Sequence, residues 1–253
     1  MAVTPDTTDE LVHLDLNGPV AVITLDSPHN RNALSRQLVT ELATHLAAAD
    51  ADDEVRVVLL RSEGRVFCSG ADLSEASAGG MEDGTRAIIG LQQAIVGAAK
   101  PVVVRLDGPV RAGGIGIVAA ADVVWADERA TFAFTEVKLG LTPAVISLTV
   151  LPRLTSRAAA WTFLSGETFD AAAAVAAGLV TRAVPAEELD DVVATGCASL
   201  ATGAPQGLRE TKALLGADLL DRIESGAEDM ASLSARLFGS DAAREAMTAF
   251  LSR

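Results

Sequence analysis

An α/β core that gives way to an all-helical C-terminal region is the fold class this sequence predicts, and three observations predict it. Short β-branched apolar runs at residues 55–60, 101–106 and 123–126 alternate with helix-period segments as far as residue 184. From Pro185 onward no strand pattern returns. Hydrophobic residues make up 49% of the 253 and charged residues 21%, which suffices for one sizeable core.

Residues 11–16 and 20–25 alternate apolar and polar side chains about Asn17-Gly18-Pro19, a β-hairpin signal. Residues 27–32 form a loop. Leu34, Leu38, Leu42 and Leu46 set a helix over 34–49, with Ser35 as its cap. Residues 55–60 read as a strand buried on both faces. Residues 66–68 read as a short strand that stops at the small-residue turn Ser69-Gly70-Ala71-Asp72-Leu73. Residues 74–84 contain Gly79, Gly80 and Gly84 without an apolar period, which predicts a surface loop. A helix over 85–99 and a strand over 101–106 follow. Strands over 123–126 and 131–134 lead into Thr135-Glu136-Val137-Lys138-Leu139-Gly140. Alanine-rich helices over 157–164 and 170–177 flank Ser165-Gly166. Gly178 stops the second, and a short strand covers 179–184. The remainder is helical, over about 186–201, 206–220, 222–237 and 240–251. Asp190-Asp191 and Ser240-Asp241 sit where helix starts favour acids and caps. No Pro- or Ser-rich linker precedes this region, so it packs on its own core or on a partner subunit.

Twenty Lys and Arg against 34 Asp and Glu give a net charge of -14. That excludes nucleic acid as a partner class, because phosphate binding needs a basic surface, and it disfavours anionic membranes. Cys68 and Cys197 are too sparse for a disulfide framework and read as core thiols of a reducing compartment. His13, His29 and His45 show no metal-ligand spacing, so no metal is assigned. Residues 1–10 are polar and acidic, without the apolar run of a secretory signal, and no 18-residue apolar run occurs. A soluble, cytoplasmic chain is expected.

The most informative stretch runs from Asp107 to Asp122. It follows the apolar strand at 101–106, crowds Gly113, Gly114 and Gly116 into its middle, and continues as an Ala/Val/Ile helix. A glycine-rich turn that opens a buried helix brings bare N–H groups close to a ligand. The helix end adds about half a unit of positive charge. Such a turn suits an anion or a developing oxyanion, and it equally suits tight helix–strand packing. It is not a dinucleotide fingerprint, since the glycines do not match G-x-G-x-x-G, and no P-loop lysine follows.

Five segments occur together in order. They are Ser27-Pro28-His29-Asn30-Arg31-Asn32-Ala33-Leu34-Ser35, Phe67-Cys68-Ser69-Gly70-Ala71-Asp72-Leu73, the stretch 107–122, Phe134-Thr135-Glu136-Val137-Lys138-Leu139-Gly140, and 164–180 with its Ser165-Gly166 and Gly178. In combination they resemble the crotonase family, the enoyl-CoA hydratase/isomerase superfamily, over nearly the whole chain. The resemblance implies a crotonase-like spiral of ββα units over 1–190, with a helical trimerisation region over 191–253. It also implies a homotrimer or hexamer and an acyl-CoA thioester as ligand. Coenzyme A is then part of the substrate, and no separate cofactor is implied. By position it gives the thioester oxygen to the N–H groups of Ala71 and Gly113. It places CoA along Arg31, Ala33 and Leu34, along Gly70, Asp72 and Leu73, and near Phe250 and Arg253 at the C-terminus.

Members of hydratase type carry two glutamates around one water. Glu136 matches the second, whereas the first falls on Gly116, which has no side chain. A void is therefore expected one helical turn below Gly113, open to an acyl chain or a water. Glu136 in an apolar pocket would have a raised pKa suited to proton transfer near neutrality. The resemblance thus implies an enoyl-CoA hydratase. A Δ3,Δ2-enoyl-CoA isomerase using the single Glu136, and a non-catalytic acyl-CoA binder, stand beside it. Arg111 near the glycine turn faces either a substrate carboxylate, as in a decarboxylase or thioesterase-like member, or Asp107.

Overall fold

The computed structural model describes residues 10–72, 75 and 81–251. Leu73, Arg253, the side chain of Phe250 and most of the loop expected over 74–84 lie outside the described residues. Strands β1 (Val12–Asn17) and β2 (Val20–Leu25) form the expected hairpin, in register from Val12–Leu25 to Asn17–Val20. Helix α1 (Arg36–Ala51) carries the chain over the sheet, so β3 (Val57–Ser62) lies parallel to β2. Ser35 caps α1 by accepting the Leu38 N–H, while Leu38, Leu42 and Leu46 are buried.

Helix α2 (Met81–Gly97) and β4 (Val102–Leu106) repeat the crossover. Next come β5 (Val110–Arg111), α3 (Gly113–Ala120), β6 (Val123–Asp127) and β7 (Thr131–Ala133). A 3₁₀ turn (Thr135–Leu139) precedes α4 (Ala144–Arg153) and α5 (Ser156–Ser165). The chain ends in β8 (Phe169–Asp170), α6 (Ala171–Ala177), β9 (Arg182–Val184), α7 (Ala186–Ala201), α8 (Pro205–Phe238) and α9 (Asp241–Leu251).

The main sheet has the order β1-β2-β3-β4-β6-β9 and is parallel apart from the hairpin. Its central strands are apolar on both sides because both are covered. One face packs the large core, including Val58, Val104, Leu42 and Ile95. The other packs Val57 and Val103 on Leu189, Val193 and Cys197 of α7. A small sheet, β5-β7-β8, stands apart and carries the polypeptide around α3. Every residue of α3 is buried, so it has no polar face. Cys68 and Cys197 are free and buried, and burial pushes their thiols up to about 12 and about 11.

Several expected elements need correction: residues 66–68 make only an isolated bridge, from Cys68 to Val110, and residues 81–84 open α2 instead of ending a loop. The helices expected over 206–220 and 222–237 are one, α8. Nothing between them breaks a helix, and the buried positions Leu219, Ile223 and Ala231 run through the supposed junction. Asp190 and Asp191 lie inside α7, whose first turn is acidified by Glu187 and Glu188 instead; Asp190 pairs with Arg105. Helix α4 has no counterpart in the sequence reading. Pro143 at its entrance, Pro152 in its last turn and its Val and Ile content disguise it. Among the described residues no helix is long and apolar enough to cross a membrane.

Candidate active site

A cavity of about 870 Å³ opens between the 28–36 loop, the 69–72 turn, the start of α3, the 3₁₀ turn at 135–139 and α4. Arg31, Leu34, Ala71, Asp72, Gly113 and Glu136 all line it. Ala33 and Gly70 are buried just behind its wall, and Gly116 is buried beneath it.

The 28–36 loop owes its shape to Asn32, which is fully buried in a left-handed conformation (φ 51°). Its Oδ1 accepts the Ser27 N–H at 2.7 Å, and its Nδ2 donates to the carbonyls of Glu63 and Val66. Asparagine tolerates this conformation because its short amide satisfies the backbone locally. The loop thereby presents Leu34 to Ala71 through a parallel bridge, with the Leu34 N–H donating to Gly70 O at 2.8 Å.

The second turn is locked to the glycine-rich turn. Gly70 has φ 97°, and a β-carbon there would stand 2.8 Å from Ala112 Cβ and 3.7 Å from Gly113 N. Only glycine combines that backbone with that approach. The Arg111 N–H donates to Cys68 O at 3.0 Å, closing the contact. Ala112 itself holds φ 44° and ψ -121°, a strained conformation for a residue with a β-carbon. Sequence gave no hint of this strain, since alanine ordinarily avoids it.

These turns bring two backbone donors together. A β-carbon on Gly113 would lie 3.9 Å from Ala71 N and 2.8 Å from Leu34 Cδ1. Gly113 is the first residue of α3, so its N–H has no partner within the helix. The Ala71 bridge uses the N–H groups of Leu34 and Asp72 and leaves that of Ala71 unused. Among the described residues neither N–H donates a hydrogen bond.

Glu136 enters from the 3₁₀ turn. That turn is clamped on both sides, by Gly166 against Val137 and Phe134 O and by Gly140 against Ala242 and Ala243. Its carboxyl oxygen Oε2 is buried without a hydrogen-bond partner. Burial raises the Glu136 pKa to about 7, a rise its own backbone N–H only partly opposes. A carboxyl that changes protonation near neutrality, lining the same cavity as two unused N–H donors, suits proton transfer to or from a substrate whose oxyanion those donors hold.

The void expected below Gly113 is absent. A β-carbon at Gly116 would meet Ile146 Cγ2 at 2.7 Å and Gln92 Oε1 at 3.2 Å. Ile146 of α4 occupies the space and lines the cavity above it. Arg111 does not pair with Asp107, which is held by Arg105 at 2.5 Å. Its Nη1 instead donates to Val110 O and Thr131 O, and its Nη2 to Thr131 Oγ1. Among the described residues no group of three or more His, Cys, Asp or Glu is arranged to hold a metal ion.

The model of one protein family, enoyl-CoA hydratase/isomerase, matches residues 15–253. The chain is 46% identical to a crystallised enoyl-CoA hydratase from Mycobacterium avium. Each chain is covered over 97%, and the TM-score is 0.91. It is 31% identical, over 96% of this chain and 95% of the relative, to a protein of Rhodobacter capsulatus named probable enoyl-CoA hydratase. A peroxisomal Delta(3,5)-Delta(2,4)-dienoyl-CoA isomerase of Arabidopsis thaliana is 28% identical over 95% of this chain and 92% of its own.

Proposed function

The chain belongs to the enoyl-CoA hydratase/isomerase family, and from that premise we propose that it binds an acyl-CoA thioester in the Glu136 cavity and adds water to a 2-enoyl-CoA. The observation that carries the reading is the meeting of an unpartnered buried carboxyl with two unused N–H donors in one cavity. The Ala71 and Gly113 N–H groups hold the thioester oxygen. The Glu136 carboxylate takes a proton from water as the water oxygen attacks C3. The electrons of the double bond move through C2 onto the held oxygen as an enolate. Glu136 then returns the proton to C2, and the thioester carbonyl reforms. One carboxyl can perform both transfers in turn, and losing one oxyanion donor of this kind typically costs about 2.7–4 kcal/mol of transition-state stabilisation.

The CoA arm is assigned to Arg31, Ala33 and Leu34 and to Gly70 and Asp72. The helical region from residue 191 is assigned to subunit contact in a homotrimer or hexamer. Leu214 and Leu215 of α8, 79% and 77% exposed, support that assignment.

A second reading is favoured by Ile146, which leaves no room at Gly116 for another proton-transferring side chain. A Δ3,Δ2-enoyl-CoA isomerase needs only one. Glu136 would take the C2 proton of a 3-enoyl-CoA and deliver it to C4, moving the double bond to C2–C3. Two assays on purified protein separate the readings. Loss of conjugated-thioester absorbance from a 2-enoyl-CoA in water, abolished by Glu136→Gln, supports hydration. Appearance of that absorbance from the 3-enoyl isomer alone supports isomerisation. Tight thioester binding with silence in both assays would leave a non-catalytic binder.

A further inference from the structure

Three helices meet at Gly116, under the floor of the cavity. Gly113 and Gly116 lie three residues apart on α3, so they share one face of it and are separated by a rise of about 4.5 Å. A β-carbon at Gly113 would stand 2.8 Å from Leu34 Cδ1 and 3.8 Å from Ile88 Cδ1 of α2. One at Gly116 would stand 2.7 Å from Ile146 Cγ2 of α4. Leu34, Ile88 and Ile146 all line the cavity. Branched aliphatic side chains therefore wall the face of α3 that descends from the Gly113 N–H.

Ile146 is held in this wall. Thr149, in the same helix, donates its Oγ1 hydrogen to Gln92 Oε1 of α2 at 2.6 Å, and the hydroxyl lies 3.2 Å from Gly116 O of α3. Gln92 Nε2 donates in turn to Ile88 O at 3.3 Å. Gln92 and Thr149 are fully buried, so the link that ties α2, α3 and α4 together is closed to water. It sits at the level of Ile146, because Gln92 Oε1 and Ile146 Cγ2 both approach the same point at Gly116. A β-branched side chain in a helix has one strongly preferred χ1 rotamer, which removes the easy route by which Ile146 could turn aside.

We propose that Ile146 determines specificity by excluding acyl groups branched at C3, so that the substrates are straight-chain acyl-CoA thioesters. This rests on the acyl-CoA reading of the cavity and narrows it to one substrate class. With the thioester oxygen on the Gly113 N–H, C1 lies at the start of α3. The descent to the level of Ile146 is a distance that about three carbon–carbon bonds of about 1.5 Å reach. A straight chain can pass a close-packed wall along its edge, whereas a second substituent at C3 needs volume that the wall yields only with strain.

Calorimetric titration of the full chain with pentanoyl-CoA and 3-methylbutyryl-CoA tests this, because the two acyl groups are isomers that differ only in the branch. The wild type is expected to bind the straight chain about tenfold more tightly. Ile146→Ala should bring that ratio to within about threefold of unity by raising affinity for the branched thioester, with affinity for the straight one held within about threefold. Ile146→Val, which trims one carbon, should shift the ratio in the same direction by less, and it serves where the alanine variant does not fold. Equal binding of the two isomers by the wild type overturns the proposal and leaves the acyl-CoA reading standing. So does a preference that survives substitution of Ile146, or one that falls only because straight-chain binding is lost. Failure of both thioesters to bind the wild type overturns both.

Discussion

Lys212 and Glu136 are both ionisable side chains withdrawn from water, and they are treated in opposite ways. Lys212 of α8 is 4% exposed, and its Nζ donates to Asp122 Oδ2 at 2.7 Å and to Ile95 O at 2.9 Å. The same Asp122 oxygen accepts the Val102 N–H, so one carboxylate ties α8 to the entrance of β4. Glu136 lies in the cavity wall with Oε2 buried and given nothing. Burial disfavours the charged form of both groups, lowering Lys212 and raising Glu136. The pairing differs because the tasks differ. A buried charge answered by its neighbour fixes a helix in place, whereas a carboxyl left unanswered keeps its proton available near neutral pH.

Removing the two groups should break this contrast in different observables. Glu136→Gln keeps the shape of the cavity and removes the proton carrier. Turnover of the enoyl-CoA substrate should fall by about 10²–10⁴-fold while thioester binding persists, as read by kcat beside a titration. Asp122→Ala should leave turnover chemistry in place and strike stability. It strands the Lys212 ammonium and the Val102 N–H, at a cost of about 3–5 kcal/mol in urea unfolding. Adding Lys212→Met to that variant should recover a large part of the loss, because the pair is dear to break and cheap to replace. Equal losses in the single and double variants would show that the pair does not hold α8.

The pH dependence sharpens the same contrast. The Glu136 pKa lies near the ordinary 4.5 in the unfolded chain and at about 7 in the folded one. Between these values the unfolded state releases a proton that the folded state retains. The native state therefore loses stability as pH rises through that window, by about 3 kcal/mol at 1.36 kcal/mol per unit. Glu136→Gln has no such proton, so its advantage over the wild type should be absent near pH 4 and complete by about pH 8. Parallel urea midpoints at the two pH values measure it. A flat difference would mean that the carboxyl ionises freely in the folded chain.

Much of this arrangement is legible from local pattern, and the rest is hidden for identifiable reasons. The stripe Leu38, Leu42, Leu46 with its Ser35 cap needs only neighbours within a few residues, and α1 forms as the spacing predicts. Most of the succession of strands and helices along the chain follows from the same short-range signals, whereas the order of strands in the sheet does not. The segments containing Ala71, Gly113 and Glu136 stand out as motifs, and the structure puts all three residues on one cavity. What fills the space at Gly116 does not stand out. Ile146 lies 30 residues away on α4, whose prolines and β-branched residues mask its helical period. Arg111 shows the same limit. Asp107 is its obvious partner in sequence, yet the pleat of β5 and β7 hands it to Thr131.

Ala112 is hidden most completely, because its side chain gives no sign of its backbone. At φ 44° and ψ -121° it carries strain of the order of 1–3 kcal/mol, stored at the turn that sets Gly113 against Ala71. Glycine accepts these angles freely but adds about 0.4–1 kcal/mol of unfolded-state entropy. Ala112→Gly should therefore raise stability by about 1 kcal/mol, seen as a modest increase in the thermal midpoint. This is the smallest effect expected, and it probes the cavity from its backbone side. The Ala112 β-carbon also packs against Gly70, 2.8 Å from where a β-carbon there would stand. If that contact locks the two turns together, the stabilised variant should bind thioester less tightly than the wild type, because the donors of Ala71 and Gly113 are no longer held in register. A gain in stability with undiminished affinity would assign the strain to the chain path alone, and leave Gly70 as the residue that sets the two donors side by side.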